Sequence, residues 1–169
     1  MTDTKIAVVG LGYVGLPLAV ALAKHFHVTG FDISAERIAA LKAGHDRTGE
    51  IDAAALAASV RDAPEGVGLI LTTVPEDISA RDVYIVTVPT PVDAKNEPDL
   101  GAVRAACATV GGEMEKGAIV VFESTVYPGV TEDICGPALE VASHMVCGED
   151  FFLGYSPERI NPGDKQHTI

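Results

Sequence analysis

The stretch Ile6-Ala7-Val8-Val9-Gly10-Leu11-Gly12-Tyr13-Val14-Gly15 decides the fold of this protein. Its first four residues are apolar and β-prone, which predicts a buried strand from Ile6 to Val9. The glycines of Gly10 to Gly15 then predict a tight turn, and the alanine-rich residues that follow predict a helix to about Lys24. A strand, a glycine-rich turn and a helix in this order are the opening unit of a βαβ fold.

An acidic residue stands where this unit needs one to bind a dinucleotide. A second predicted strand, Val28 to Phe31, ends at Asp32, which lies 22 residues after Gly10. In the fingerprint, the first glycine permits the turn, the second (Gly12) lets a pyrophosphate approach the backbone, and the third (Gly15) lets helix and strand pack closely. The acid binds the adenosine ribose hydroxyls and repels a 2′-phosphate. The pattern therefore predicts binding of NAD rather than NADP.

Arg37 leaves two interpretations open. Its positive charge could pair with a 2′-phosphate and so weaken the preference for NAD. Alternatively, it is a solvated residue of the helix that Ser34 caps and that extends to about Ala43, where Gly44 is placed to end it.

The rest of the chain alternates short apolar runs with helical patterns, which predicts an α/β fold: a doubly wound Rossmann-type parallel sheet with helices on both faces. The further predicted strands are 69–73, 83–88, 118–122 and 151–155, and the further helices are 52–63, one opened by Asp99 and one starting at Thr131. In the Asp99 helix the apolar residues recur at steps of three and four, and Cys107 lies in that stripe. We therefore expect Cys107 to pack rather than to react.

Length, charge and cysteine content exclude several classes of protein. The 169 residues fit one domain, and the net charge of −12 argues against binding of nucleic acid or an anionic membrane. The uncharged run from Ile6 to Ala23 is interpreted as a buried strand and helix rather than a membrane span. Cys107, Cys135 and Cys147 form no disulfide or metal pattern, which favours reduced thiols, no metal and a cytoplasmic location.

Further strings follow the predicted strands at the edge where open α/β sheets bind ligands. They are Val88-Pro89-Thr90-Pro91, Glu97-Pro98-Asp99-Leu100, Glu123-Ser124-Thr125-Val126-Tyr127-Pro128-Gly129 and Ser156-Pro157-Glu158-Arg159-Ile160-Asn161-Pro162-Gly163. With the glycine loop, and in this order, they resemble the N-terminal NAD-binding domain of the UDP-glucose/GDP-mannose dehydrogenase family from Ile6 to His167. The last two strings look most like the branch acting on UDP-N-acetylglucosamine or UDP-N-acetylgalactosamine, as in Vi-type capsular polysaccharide synthesis. The UDP-glucose branch usually carries Phe-Leu-Ala/Arg-Glu-Gly where Arg159 to Gly163 stands.

The resemblance implies an enzyme that oxidises C6 of a UDP-sugar to the acid in two NAD-dependent steps. It places Tyr13, Val14, Asp32, Arg37 and Thr90 at NAD and Thr125 near the nicotinamide and a catalytic water. It further implies that Glu158 is a general base or water-orienting carboxylate and that Arg159 and Ile160 touch the substrate.

The family also needs a nucleophilic cysteine, a central domain and a UDP-binding domain downstream. We therefore expect residues 1–169 to be the N-terminal part of a longer enzyme, a homodimer or higher oligomer when complete. None of the three cysteines has the context of that nucleophile. Two alternatives remain: the N-terminal half of a hydroxyacid or hydroxyacyl dehydrogenase, and a non-catalytic NAD-responsive binding module.

Overall fold

A computed structural model describes residues 4–62, 66–92 and 98–157; the predicted site residues Glu158, Arg159 and Ile160 lie outside these ranges. The strands are β1 (Lys5–Val9), β2 (His27–Phe31), β3 (Gly68–Thr72), β4 (Val83–Val86), β5 (Ile119–Phe122) and β6 (Phe152–Tyr155). The α-helices are α1 (Gly15–Leu22), α2 (Ala35–Lys42), α3 (Ala53–Ser59), α4 (Gly101–Glu113) and α5 (Gly136–Ser143), with a 3₁₀ turn at Pro75–Ile78 and a π-helix at Val130–Cys135.

The six strands form one parallel sheet in the order β3-β2-β1-β4-β5-β6. Val9 at the end of β1 pairs with Phe31 of β2 on one side and with Val86 of β4 on the other. The chain therefore reverses its winding direction between β1 and β4, and the carboxyl ends of these strands open at the reversal. This confirms the doubly wound Rossmann-type α/β fold.

Alternate residues of the central strand face two separate apolar cores. Ala7 and Val9 of β1 belong to the core under α4 and α5. Ile6 and Val8 belong to the core under α1, α2 and α3. Because side chains alternate along a strand, one buried apolar strand supplies both layers. Cys107 is fully buried in the α4 core, as its helical stripe predicts.

Several boundaries differ from those that the sequence predicts. The α3 helix ends at Ser59 rather than at residue 63, because Val60 bridges to Leu69 of β3. The predicted helix at Thr131 begins one residue earlier as a π-helix. Pro137, which follows it, has no N–H to donate, and this favours an irregular turn there. The uncharged run splits into β1 and α1, and within the described ranges no helix could cross a membrane.

Candidate functional site

A groove of about 580 Å³ runs across the carboxyl ends of β1, β2, β4 and β5. Every residue that the sequence assigned to the cofactor lines it except Gly15, which lies beneath the loop. The lining comprises Gly10, Leu11, Gly12, Tyr13, Val14, Asp32, Ile33, Arg37, Arg47, Thr48, Thr87, Val88, Pro89, Thr90, Pro91, Glu123, Ser124 and Thr125.

The glycine loop forms the floor of the groove, and two glycines are required by its geometry. Gly10 has a φ of 94°, a conformation that favours glycine at the end of β1. A Cβ on Gly15 would overlap the carbonyl oxygen of Gly10 and Oγ1 of Thr87. Thr87 Oγ1 itself donates to that carbonyl oxygen at 2.6 Å. The start of α1 is therefore packed directly against the ends of β1 and β4.

The amino terminus of α1 fits a phosphate group. Val14 occupies the capping position and makes no side-chain hydrogen bond to the helix. A Cβ on Gly12 would meet no protein atom within 4 Å, so the absence of a side chain there leaves open space on the groove side of the loop. An uncapped helix amino terminus with close backbone access is a site for an anion such as a dinucleotide diphosphate.

Asp32 stands at the end of β2 and is half-buried. One carboxylate oxygen accepts a hydrogen bond of 2.9 Å from the Leu11 amide, and the other accepts one of 2.9 Å from the Ser34 amide. A carboxylate has about four lone-pair sites, so acceptor capacity remains for ribose hydroxyls. The side chain therefore fixes the glycine loop and can still bind a ligand in the groove.

Arg37 is buried, which corrects the alternative that it is a solvated helix residue. Its side chain is 1% exposed, and Nη2 lies 2.8 Å from Oδ1 of Asp46, which is also 1% exposed. Its Nε donates to the carbonyl oxygen of Leu11 at 2.8 Å. Nη1 is buried and has no hydrogen-bond acceptor among the described residues.

Asp46 organises the turn that follows α2. Its carboxylate accepts hydrogen bonds from the amides of Thr48, Glu50 and Ile51 at 3.0 to 3.1 Å and from Oγ1 of Thr48 at 2.7 Å. Burial alone would raise the pKa of the Asp46 carboxyl, but the hydrogen bonds from Thr48 and Ile51 and the Arg37 guanidinium outweigh it, and the pKa lies below its usual value. The charged carboxylate thus holds this turn against the groove.

The opposite end of the groove is formed by the loops after β4 and β5. Thr90 Oγ1 donates to the carbonyl oxygen of Thr125 at 2.7 Å, and Ser124 Oγ donates to the carbonyl oxygen of Val88 at 2.6 Å. These two bonds run in opposite directions and join the loops into one wall. Thr90, which the resemblance places in the NAD site, and Thr125, which it places near the nicotinamide, therefore lie in contact.

A smaller apolar cavity of about 180 Å³ adjoins the groove beside α4. It is lined by residues such as Ala102 and Ala106 of α4, and the residues that it shares with the groove are Gly10, Asp32, Ile33, Val88 and Pro89. Ile33 is 87% exposed, which leaves a large apolar surface without a partner among the described residues. The shape and polarity fit a flat apolar ring such as adenine.

None of the three cysteines lines the groove. Cys107 and Cys135 are buried, and a hydrogen bond to Cys135 together with burial raises the pKa of the Cys107 thiol. Burial, with the nearby Glu140, also raises the pKa of Cys147. Across the described ranges, no group of three or more metal-ligating side chains is present.

Sequence reasoning missed part of the site. Thr87 is a polar residue directly at the end of an apolar strand, and this position could have identified it as a candidate site residue. Arg47 and Thr48 reach the groove because their turn folds back along α2, and no local pattern signals this.

The sequence pattern of the UDP-glucose/GDP-mannose dehydrogenase family, NAD binding domain, matches residues 4–169. The chain belongs to this family. Among the family's curated members it is 53% identical to UDP-N-acetyl-D-glucosamine 6-dehydrogenase of Pseudomonas aeruginosa and 47% identical to the enzyme of the same name from Salmonella typhi, over 100% and 99% of this chain. It spans 38% of the length of each.

Solved structures of the family share the fold. UDP-D-ManNAc dehydrogenase from Pyrococcus horikoshii superimposes with a TM-score of 0.82 at 36% identity, over 95% of this chain and 37% of that one. GDP-mannose dehydrogenase from Pseudomonas aeruginosa superimposes with a TM-score of 0.79 at 28% identity, over 93% of this chain and 36% of that one. The cofactor of the family's matched domain is NAD, and the groove described above combines an uncapped helix amino terminus with an acidic residue at the end of β2.

Proposed function

We propose that residues 1–169 are the NAD-binding domain of a longer nucleotide-sugar 6-dehydrogenase that oxidises a UDP-N-acetylhexosamine to the uronic acid. The observation that carries this proposal is the convergence of the glycine loop, Asp32 and the Thr90–Thr125 wall on one groove. Membership of the family supports the same conclusion. The complete enzyme acts as a homodimer or higher oligomer.

In this proposal each part of the cofactor contacts its own residues. Asp32 accepts hydrogen bonds from the adenosine ribose, and Ile33 packs on the adenine in the adjoining cavity. Gly12, Tyr13 and Val14 hold the diphosphate at the start of α1, and Arg37 lines the same groove. When bound, NAD supplies the hydride acceptor for both oxidations.

The chain's own residues supply positioning and acid–base chemistry. Thr90 fixes the main chain of Thr125 by its hydrogen bond, so that the Thr125 hydroxyl can orient a water molecule beside the nicotinamide end. Glu158, outside the described residues, is the general base that activates this water. Arg159 and Ile160 contact the sugar. A cysteine of a downstream domain is the nucleophile that forms the covalent intermediate.

Two features support an acetamido sugar as substrate. The string from Ser156 to Lys165 departs from the UDP-glucose branch, and the two relatives named above act on UDP-N-acetyl-D-glucosamine by their names. The test is kcat/KM of the complete enzyme for UDP-N-acetylglucosamine, UDP-N-acetylgalactosamine and UDP-glucose. A preference for UDP-glucose would contradict the substrate assignment and leave the family unchanged.

Asp32 predicts the choice of cofactor. Calorimetric titration should give tighter binding of NADH than of NADPH, because the carboxylate repels a 2′-phosphate. Asp32→Ala should weaken NADH binding by about 1–3 kcal/mol, the usual cost of losing a charged hydrogen-bond partner. Equal or tighter binding of NADPH by the unaltered chain would overturn the role of Asp32.

A further inference from the structure

Arg47 is an exposed cation on the outer wall of the groove, in the turn that Asp46 organises. It lines the same cavity as Gly12 at the start of α1 and Asp32 at the end of β2. The backbone on its carboxyl side is fixed because Asp46 accepts hydrogen bonds from Thr48 and from the amides beyond it. Asp46 is in turn tied to the glycine loop through Arg37 and Leu11. The position of Arg47 is therefore coupled to the floor of the groove.

One cation that lines the groove has no partner of opposite charge among the described residues. Asp32 and Glu123 are acidic, and Arg37 is neutralised by the buried Asp46. Within the described part of the chain, Arg47 is the groove cation that forms no ion pair. The chain as a whole carries a net charge of −12, which repels a dinucleotide whose diphosphate bears two negative charges. A cation at this wall offsets that repulsion where the phosphates lie.

We propose that Arg47 binds the diphosphate of the cofactor, with Asp46 and Arg37 as positioning residues. The inference rests on the cofactor-binding role proposed above. The amides of α1 and the guanidinium of Arg47 line the same groove and both donate to the phosphates. A guanidinium suits this task because its planar set of donors matches two phosphate oxygens at once.

The first experiment compares NADH, ADP-ribose and adenosine as ligands of this chain by calorimetry or competition. Arg47→Gln should lower the affinity for NADH and for ADP-ribose by about tenfold at low salt, which is the scale of one charge-assisted contact. The affinity for adenosine should not change. The loss should shrink at high salt, because an exposed charge is screened. Arg47→Lys should retain part of the affinity. Lys42→Gln removes an exposed cation of α2 outside the groove and should change none of the three affinities.

The outcomes separate this inference from the proposed function. If the unaltered chain binds NADH and Arg47→Gln binds it equally well, the inference is wrong and the cofactor site stands. If adenosine binding falls as much as NADH binding, Arg47 contacts the nucleoside and the diphosphate assignment is wrong. If the unaltered chain binds no NADH, both fail.

A second experiment tests the positioning role of Asp46. Asp46→Asn should weaken NADH binding and lower its salt dependence towards that of Arg47→Gln, and it should weaken binding less in the Arg47→Gln background than in the unaltered chain. A general loss of structure would lower the affinity equally in both backgrounds and leave the salt dependence of the remaining binding unchanged. If Asp46→Asn does not fold, Thr48→Ala removes the side-chain bond of 2.7 Å and should give the same pattern in milder form. Additive losses in the double variant would contradict the coupling.

Discussion

Arg37 donates a hydrogen bond from Nε to the carbonyl oxygen of Leu11 at 2.8 Å, in the middle of the glycine loop. The amide of the same Leu11 donates to Asp32 at 2.9 Å. Both backbone groups of this loop residue are thus held by side chains that begin at the end of β2 and in α2. The two charged residues that the sequence assigned to the ligand also determine the shape of the loop that receives it.

Replacing Arg37 should destabilise the fold strongly. Arg37→Met leaves the buried Asp46 carboxylate without its cation, and the free energy of unfolding should fall by about 3–5 kcal/mol. Urea unfolding measures this, with Arg104→Met on the exposed face of α4 as the matched control. Arg37→Met combined with Asp46→Leu should recover most of the loss, since neither charge is then left alone. If Arg37→Met and Arg104→Met lower the free energy of unfolding by the same amount, the ion pair contributes nothing to stability.

Stability should depend on pH through Asp46. Its pKa in the folded chain lies below the ordinary value of 3.8, so the folded state binds fewer protons than the unfolded state as the pH approaches that value. The contribution of the charged Asp46 carboxylate to the free energy of unfolding is complete above pH 3.8 and is lost as the pH falls through its pKa in the folded chain. The difference in unfolding free energy between the unaltered chain and Asp46→Asn should therefore be constant near neutral pH and shrink below about pH 4. A constant difference down to pH 2 would contradict the assignment.

Two glycines of the loop should respond differently to alanine. Gly15→Ala places a methyl group against Gly10 and Thr87, so both the melting temperature and the affinity for NADH should fall. Gly12→Ala meets no protein atom, so the chain should fold normally and lose NADH affinity alone. Thermal unfolding and calorimetry on the same samples distinguish the two cases. Normal NADH affinity in Gly12→Ala would mean that the diphosphate does not approach the loop at this point.

Residues 1–169 alone should bind cofactor and oxidise no sugar. Cys107 and Cys135 are buried, and the raised pKa values of Cys107 and Cys147 disfavour the reactive thiolate. The chain can be incubated with NAD and each UDP-sugar while the absorbance of NADH is followed. Adding the proposed downstream domain as a separate chain should restore turnover if the two associate. Sustained NADH production by the chain alone would show that the chemistry is complete within these residues.

The sequence predicts the sheet and the floor of the groove because their signals are local. Strands β1 to β6 each follow from a short apolar run, and the roles of Gly10 and Gly15 follow from the fingerprint. The N-cap at Ser34 is confirmed by its hydrogen bond to the Arg37 amide. These features depend on residues that are close in the chain or on the order of elements, so a single sequence contains them.

The environment of Arg37 could not be predicted in this way. Its burial depends on Asp46, which returns to the groove only because the turn after α2 folds back, and no periodicity encodes that path. Thr87 was also missed, since its partner Gly10 lies 77 residues earlier in the chain. The π-helix at Val130–Cys135 packs against α4, α5 and β6, whose positions no local sequence pattern gives. Long-range packing decides all three.

The presence of two separate cores, one on each face of the sheet, has a consequence for how the molecule unfolds. The face covered by α1, α2 and α3 buries one apolar cluster, the face covered by α4 and α5 buries the other, and β1 contributes residues to both. Without cofactor, amide hydrogen exchange should reveal two sub-global units, one for each helical layer, that open at different free energies. A dinucleotide in the groove contacts the glycine loop before α1 and the loops after β4 and β5 at once, and so its binding should merge the two openings into a single cooperative transition.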